Sequence, residues 1–513
     1  MSEAITDDAA TPPTGLFKNT RWNLVAFVCT LAPSLVTIPF VVRLIGLTAF
    51  GRAGLVLAVC APLVLVGTVI GQALIREVSS RVARGDQDGA RRSVEAAFRL
   101  CVLASTAGWF LLVAVGAPIT SQILRERGSV FELELAFLIA ATGWFFQQFA
   151  LVFQGTSAAR QDYRTVAAVA AVSAATTIVT ALGLTFAVRT TEGYLGGIAA
   201  GFTLSAVAWL WVARRDLRWR DILAIHWNTE SGSLLRFARW QGLALLAAAL
   251  SNQIDRYTLG VFAAASAIGQ YNIANRLQEA AYIGAVRSGE VLFPRFGSLS
   301  DRSPEERSDL FQRASWIVGT FSVMALSPLV PLSDAVISLW IPEAGPGAAV
   351  LLRTLVLGGV VGCSSIVFTY YAMGIGRNAP VAFITVLYSI ITVVFTVLLI
   401  RTFGPLAAGG GLLVASAARV ATSLVWTKRE FFPFLSWVDL SISTLVPVAA
   451  GSFVAISTQM VGVGLVSGWG HLVALYFALS ASVFIVTLIV TSLSANGRAV
   501  VSALIRSFRY SLV

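Results

Sequence analysis

The chain has 513 residues, 57% of them hydrophobic and only 12% charged, with a formal net charge of +11. Soluble domains carry roughly 25% charged residues, so the composition excludes a soluble globular protein and points to a polytopic membrane protein. The four cysteines (Cys29, Cys60, Cys101, Cys363) all lie in apolar runs without Cys-x-x-Cys or Cys/His spacing, and the two histidines, His226 and His471, are far apart. Neither a disulfide framework nor a metal site is expected, and no cofactor.

The first twenty residues lack the basic start, apolar core and small-residue cleavage site of a signal peptide, and read as a cytoplasmic tail. Apolar runs long enough to span a bilayer then fall near 22–44, 53–75, 99–124, 134–155, 165–188, 194–213, 240–263, 268–294, 314–340, 349–374, 379–400, 405–427, 439–460 and 470–491. The runs do not alternate, which favours helices over a β-barrel. The expected fold is therefore all-α with about fourteen transmembrane helices. Of the 37 Lys and Arg, twenty-six fall on the side that holds both ends of the chain, six on the other side, and five inside spans. By the positive-inside rule both termini are cytoplasmic and the outward loops are short. The same asymmetry accounts for the net charge without a nucleic-acid partner. Residues 214–239 form a basic cytoplasmic linker at mid-chain, where Trp219, Trp227 and nearby Trp240 suit an interfacial helix or simple anchoring. Residues 493–513 are basic and amphipathic and read as a cytoplasmic membrane-surface helix.

Placing residue n over n+218 reveals a repeat. Arg21-Trp22 meets Arg239-Trp240, LTAFGRAGL (47–55) meets ASAIGQYNI (265–273) with Gly51 over Gly269, and Gly71-Gln72 meets Gly289-Glu290. Later, YLGGIAAGFTLS (194–205) pairs with PLAAGGGLLVAS (405–416) at an offset of 211. The expected domains are an N-terminal six-helix lobe (21–213), a C-terminal six-helix lobe (240–427) and two additional helices (428–492). Each repeat holds an even number of spans, so the axis relating the lobes lies along the membrane normal. Two like-oriented bundles around a central cleft suit alternating-access transport, with the binding site expected where the lobes meet. Residues 440–497 carry no Asp, Glu, Lys or Arg, so the last two spans are expected to face lipid or a lipid tail. Prolines inside spans (Pro33, Pro39, Pro62, Pro118, Pro328, Pro331, Pro447) mark candidate kinks.

The seventh and eighth spans are the anomaly. They carry Asp255, Arg256, Arg276, Glu279, Arg287 and Glu290, which facing lipid would cost on the order of 15–20 kcal/mol together. The charges must therefore face a polar interior. With the hairpin turn centred near Ala265–Ser266, Asp255 and Arg276 sit at equal depth and are expected to form an ion pair, with Arg256 and Glu279 close by. On span 8 the 100° helical step puts Asn272, Arg276, Glu279, Arg287 and Glu290 on one face. This stripe either lines a cavity or holds spans 7 and 8 together.

The pattern N(23)…P(39)…LIGLTAFG (44–51)…GQALIREVSSRVARGD (71–86), with SNQIDRYTLGVFAAASAIGQYNIANRL (251–277) and LFPRFGSL (292–299), resembles polysaccharide flippases of the Wzx type, which serve O-antigen and exopolysaccharide export. These belong to the multidrug/oligosaccharidyl-lipid/polysaccharide exporter superfamily. The resemblance covers about residues 20–430. It implies two six-helix lobes around a V-shaped cavity and alternating-access transfer of undecaprenyl-diphosphate-linked oligosaccharide to the outer leaflet of the cell inner (cytoplasmic) membrane. The two extra helices are similar in number to those of the lipid II flippase. For an anionic diphosphate, Arg256, Arg276 and Arg287 are the foremost candidates, because Arg offers planar, permanently charged donors. Arg353 and Arg419 lie nearer span ends and are secondary. Asn272 shares the stripe, and the span-4 residues Trp144, Phe145, Phe146, Gln147 and Gln148 are candidates to contact sugar or to pack a helix seam. Nothing in the chain matches a phosphate-binding GxxxxGK[ST] loop, so coupling to an H⁺ or Na⁺ gradient through Asp255, Glu279 and Glu290 is expected. No enzyme activity is expected. The competing readings are a cation-coupled multidrug exporter of the same superfamily, a lipid II flippase, a membrane glycosyltransferase or polymerase, and a structural scaffold.

Overall fold

The computed structural model describes residues 14–124, 130–160, 162–214, 253–290, 303–462, 464 and 466–493, with isolated positions beyond them. Among the described residues every regular element is helical. The N-terminal lobe comprises α1 (Thr14–Cys60), α2 (Leu65–Ala83), α3 (Gln87–Leu124), α4 (Val130–Ala159), α5 (Tyr163–Val188) and α6 (Thr191–Ala213). The C-terminal lobe comprises α7 (253–262), α8 (Ala265–Glu290), α9 (Pro304–Leu326), α10 (Ser333–Trp340), α11 (Gly345–Gly362), α12 (Ile366–Gly374), α13 (Asn378–Phe403) and α14 (Ala407–Trp426). Then follow α15 (Trp437–Thr444), α16 (Val446–Val461) and α17 (Trp469–Ser492). The tryptophan-bearing linker, the first half of span 7 and the C-terminal amphipathic tail lie outside the described residues, as do the side chains of Arg287 and Glu290.

Among the described residues, eight helical stretches are long and apolar enough to cross a membrane, or ten if the two bent pairs each count as one span. Two of the eight, Val28–Ile75 and Asn378–Phe431, are 48 and 54 residues long. A straight helix of that length would run about 70–80 Å, more than twice the hydrocarbon thickness of ~30 Å. Each is folded instead at a glycine with positive φ, Gly46 (80°) and Gly404 (55°), a conformation that costs a side-chain-bearing residue far more. Each therefore supplies two spans. The charged α8 and the partly described span 7 bring the number to the fourteen that the sequence suggests. The remaining breaks fall at prolines: α9 and α10 meet at 65° across Pro328 and Pro331, and α15 and α16 at 47° beside Pro447. Short polar caps close helices where they leave the apolar zone. Asp162 accepts from the Thr165 N–H at 3.1 Å, Thr190 from Gly193 at 3.2 Å, and Ser303 from Glu306 at 3.2 Å.

The last two spans are fastened to the C-terminal lobe at the broken α9. Its carbonyls at Met324 and Ala325 accept from Ser480 Oγ (3.0 Å) and Tyr476 Oη (2.7 Å) of α17, and Trp316 Nε1 donates to Thr491 Oγ1 (2.9 Å). A helix broken by proline leaves backbone acceptors without intrahelical donors, and in lipid a neighbouring helix must supply them. The opposite face of α17 exposes Phe477, Ile485 and Ile489.

The lobes meet through α1 and α8, and the contact is symmetric. A Cβ added to Gly51 would lie 1.9 Å from the Ala265 carbonyl oxygen, and one added to Gly269 would lie 2.6 Å from the Leu47 carbonyl oxygen. Leu47 and Ala265, like Gly51 and Gly269, are equivalent positions of the 218-residue repeat. Residue i therefore touches j′ while j touches i′, the signature of a twofold axis passing between the two glycines. Farther from the turn the symmetry yields to complementarity. Asn272 packs onto Gly54, its repeat equivalent, 1.9 Å from where a Cβ would be. Small residues on the N-terminal side thus make room for polar ones on the other. The exposed Arg43–Glu343 ion pair (3.1 Å) and a hydrogen bond from Gln270 Nε2 to the Ala344 carbonyl (3.0 Å) close the rim of this seam. Gly51→Val is expected to prop the seam open. In a cysteine-free background, Leu47→Cys in the purified protein should react with a bulky maleimide several-fold faster when Gly51→Val is present, and equal rates would refute the seam.

Candidate functional site

Behind the seam lies a polar cleft between the lobes, of about 410 Å³. It is lined by Ser34, Gly54, Leu57 and Ala58 of α1, Gln147 of α4, Tyr194 of α6, Gln253 and Arg256 of α7, and Asn272, Asn275, Arg276 and Glu279 of α8. Arg276 crosses from one lobe to the other, donating from Nε to Ser34 Oγ at 2.6 Å and from Nη1 to Glu279 Oε2 at 3.0 Å. Ser34 precedes the Gly46 turn by twelve residues, and Arg276 follows the Ala264 turn by twelve. Both therefore lie about 18 Å from the sealed end, near the middle of a bilayer. The guanidinium of Arg276 remains one-third exposed and the Glu279 carboxylate two-fifths exposed, at 33% and 42%, so the pair faces open space. Arg256 donates to Asn272 Oδ1 and Gln253 Oε1, both at 2.6 Å, and lies 5.5 Å from the centroid of the Tyr271 ring. Two guanidiniums and one carboxylate line this cleft among the described residues, a net positive site.

Asp255 is placed differently from the sequence expectation. It does not pair with Arg276. Its carboxylate is buried inside the C-terminal lobe and accepts from Tyr271 Oη (2.9 Å) and Thr396 Oγ1 of α13 (3.1 Å). Two physical causes explain the difference. The hairpin turns at Ala263–Ala264, two residues earlier than the sequence reading assumed, so residues 271 and 272 stand at the level of Asp255 and Arg256. Adjacent residues on a helix also diverge by 100°, so Arg256 faces the cleft while Asp255 faces away from it. Gly411 of α14 makes the packing around Thr396 possible, since a Cβ there would lie 2.3 Å from Thr396 Oγ1.

Three other candidates stand apart from the cleft. Arg353 forms an ion pair with Asp334 of α10 at 2.6 Å and donates to Ser333 at 3.2 Å. Arg419 lies inside the C-terminal lobe, 5.6 Å from the Tyr388 ring centroid and 3.5 Å from Thr369 Oγ1. Gln148 is fully buried against α2, accepting from the Gly67 N–H at 2.8 Å and donating to the Trp144 carbonyl at 3.1 Å. Of the span-4 aromatics, Trp144 is buried over Gly108, and Phe145 stacks edge-on with Phe146 and Phe149. They build a helix seam, and only Gln147 of that group reaches the cleft. The sequence reading did not single out Ser34, Tyr194, Gln253 or Asn275. Asn275 adjoins the polar stripe and was within reach of the helical-wheel argument. The other three come from separate elements and become neighbours only through the seam.

Residues 16–300 match the model of the family described as polysaccharide biosynthesis protein, just over half of the chain. The chain belongs to that family. No curated protein matches it in sequence. Its fold is that of the MOP superfamily. A lipid II flippase, MurJ, in an inward closed conformation superposes with a TM-score of 0.66 at 11% identity, covering 94% of this chain and 98% of that one. An inward-facing multidrug resistance MATE transporter of the MOP superfamily superposes with a TM-score of 0.63 at 15% identity, covering 79% and 94%. An outward-facing MATE structure gives 0.57 at 14%, covering 82% and 98%.

Removing the Tyr271 hydroxyl deprives buried Asp255 of one of its two hydrogen bonds, a loss of about 1–3 kcal/mol. Tyr271→Phe should therefore lower the thermal midpoint of the purified protein followed by tryptophan fluorescence. Adding Asp255→Asn should make the Tyr271→Phe effect smaller than it is alone, and strictly additive shifts would contradict the contact.

Proposed function

We propose that the protein is a flippase that moves undecaprenyl-diphosphate-linked oligosaccharide from the cytoplasmic to the outer leaflet by alternating access, for export of a cell-surface polysaccharide. Arg256 and Arg276 in one cleft near mid-depth carry this reading. A diphosphate is a compact dianion, and desolvated guanidiniums offer it charge-assisted, bidentate hydrogen bonds. Each arginine is held by neutral or exchangeable partners (Asn272, Gln253, Ser34, Glu279), so donors are positioned before substrate arrives. The family membership agrees with a polysaccharide precursor as cargo. A cationic drug fits less well, because among the described residues the cleft offers one carboxylate, and that carboxylate already faces Arg276.

In this reading both termini are cytoplasmic and the chain sits in the inner membrane, so the Gly51–Gly269 seam closes the outer side and the cleft opens inward. A gradient of H⁺ or Na⁺ drives the cycle through Asp255, whose cage of Tyr271 and Thr396 lies behind the cleft in the C-terminal lobe. Arg256 adjoins both compartments, so occupancy of one biases the other. Glu279 serves as the counter-ion that Arg276 leaves when phosphate binds. Arg353 and Arg419, tied to Asp334 and Tyr388, hold helices together in this scheme.

Arg276→Ala is expected to reduce export at least tenfold and to raise cytoplasmic-side lipid-linked oligosaccharide, with Arg276→Lys between it and the parent. Arg353→Ala, at equal abundance, should export normally. Unaltered export in Arg276→Ala would remove the headgroup role. Asp255→Asn should leave residual flipping that no longer responds to collapse of the ion gradient, whereas a full gradient response would separate Asp255 from coupling.

A further inference from the structure

A second cavity of about 420 Å³ lies inside the N-terminal lobe, between α1, α4, α5 and α6. It shares Ser34, Leu57, Gln147, Tyr194 and Arg276 with the cleft, so the two are continuous through one wall. Its character is different. Apart from Arg276 at the shared wall, no lining residue among the described residues is Asp, Glu, Lys, Arg or His. Polar lining comes instead from neutral side chains, among them Gln154 of α4, Ser173 and Thr177 of α5, and Ser205 of α6.

Several of these groups are committed to each other, and several are not. Ser173 and Ser205 hydroxyls share a 2.8 Å hydrogen bond, and Thr177 Oγ1 donates to the Ser173 carbonyl at 2.7 Å. The side-chain amides of Gln147 and Gln154, seven residues apart and so on one face of α4, make no hydrogen bond among the described residues. Neither does the hydroxyl of Tyr194, although that residue is only 6% exposed. Gln147 and Gln154 are half-buried. All three side chains line the cavity, Gln147 and Tyr194 at the wall shared with the cleft.

The geometry points to this cavity as the subsite for the sugar nearest the diphosphate, selective for a neutral sugar over a uronic acid. The inference rests on the flippase reading above and adds to it the place and chemical class of the first glycan unit. A diphosphate held between Arg256 and Arg276 directs its sugar through the wall that Tyr194, Gln147 and Arg276 form. Amide and hydroxyl groups match sugar hydroxyls as both donors and acceptors. A carboxylate pushed beyond Arg276 would meet no cation among the described residues and would lose hydration, an expensive transfer. The volume lies in the range of small-molecule pockets, roughly 300–1,000 Å³, so it takes about one or two rings rather than a long glycan, and later sugars remain in the cleft.

The test uses the purified full chain in nanodiscs and three probes: undecaprenyl diphosphate, the same lipid bearing one N-acetylhexosamine, and the same lipid bearing one hexuronic acid. The N-acetylhexosamine lipid should bind at least tenfold more tightly than the bare lipid, and the uronic lipid no more tightly than the bare one. Gln154→Leu and, separately, Ser205→Ala should each erase most of the advantage of the neutral sugar while leaving bare-lipid affinity within twofold. Arg276→Ala should weaken all three. Equal affinities for the three lipids, or a sugar advantage that survives in both variants, overturn the subsite and leave the diphosphate reading standing. If none of the three lipids binds, or Arg276→Ala changes nothing, the diphosphate reading falls and the subsite with it.

Discussion

The close approach of Gly51 to Ala265 and Gly269 governs the rest of this architecture. Two helices from two six-helix lobes meet with carbonyl oxygens where side chains would ordinarily stand. Association of helices in lipid depends on such packing, because the surrounding tails are as apolar as the helices themselves. The contact is reciprocal between repeat-equivalent residues, so the pseudo-twofold axis runs through it. Everything on one side of that axis has a partner position on the other. The two lobes are therefore free to differ only where their equivalent residues are not forced together.

The functional asymmetry begins where that constraint relaxes. One and two helical turns beyond the glycines, Gly54 and Ala58 on α1 correspond to Asn272 and Arg276 on α8. The N-terminal lobe keeps the small residue at each position and the C-terminal lobe keeps the polar one. Each guanidinium or amide then projects across the axis into space its counterpart has vacated. A symmetric pair of arginines here would place like charges across a narrow, poorly solvated gap. Conversely, a symmetric pair of small residues would leave an apolar cleft without donors. The asymmetry at these two positions yields a seal and a charged site from one helix pair.

Much of this was legible in the sequence, and the illegible part has a specific cause. Fourteen spans followed from hydropathy and from the chain's own repeat, because the bilayer fixes helix length and the backbone has no alternative to internal hydrogen bonding. The polar stripe on α8 followed from the 100° step, and Asn272, Arg276 and Glu279 share one cleft. The partner of Asp255 did not follow. Pairing across a hairpin depends on the turn, and Ala263–Ala264 offers no glycine or proline to mark it. A shift of two residues at the turn moved the predicted partner from Arg276 to Tyr271. Thr396 was out of reach altogether, since it comes from a helix 141 positions away. Gln148 and Gln147 illustrate the same limit, being adjacent on one helix while one packs against α2 and the other opens to the cleft.

Burying Asp255 on the far side of α7 from the cleft has a mechanical consequence. Its two hydrogen-bond donors come from α8 and α13, so this carboxylate ties three helices of one lobe together, and in the proposed cycle a change in its charge acts on how they pack. Arg256, its immediate neighbour, reaches Asn272, and Asn272 is wedged onto Gly54 of the opposite lobe. The chain of contacts from Asp255 to the inter-lobe seam is thus three residues long. It passes through side chains with discrete hydrogen-bonding choices rather than through deformable apolar packing. Glu279 already faces the cleft and holds Arg276 there, whereas Asp255 touches neither the cleft nor Arg276. In the proposed cycle, a carboxylate on the other face of α7 biases the seam without occupying the site.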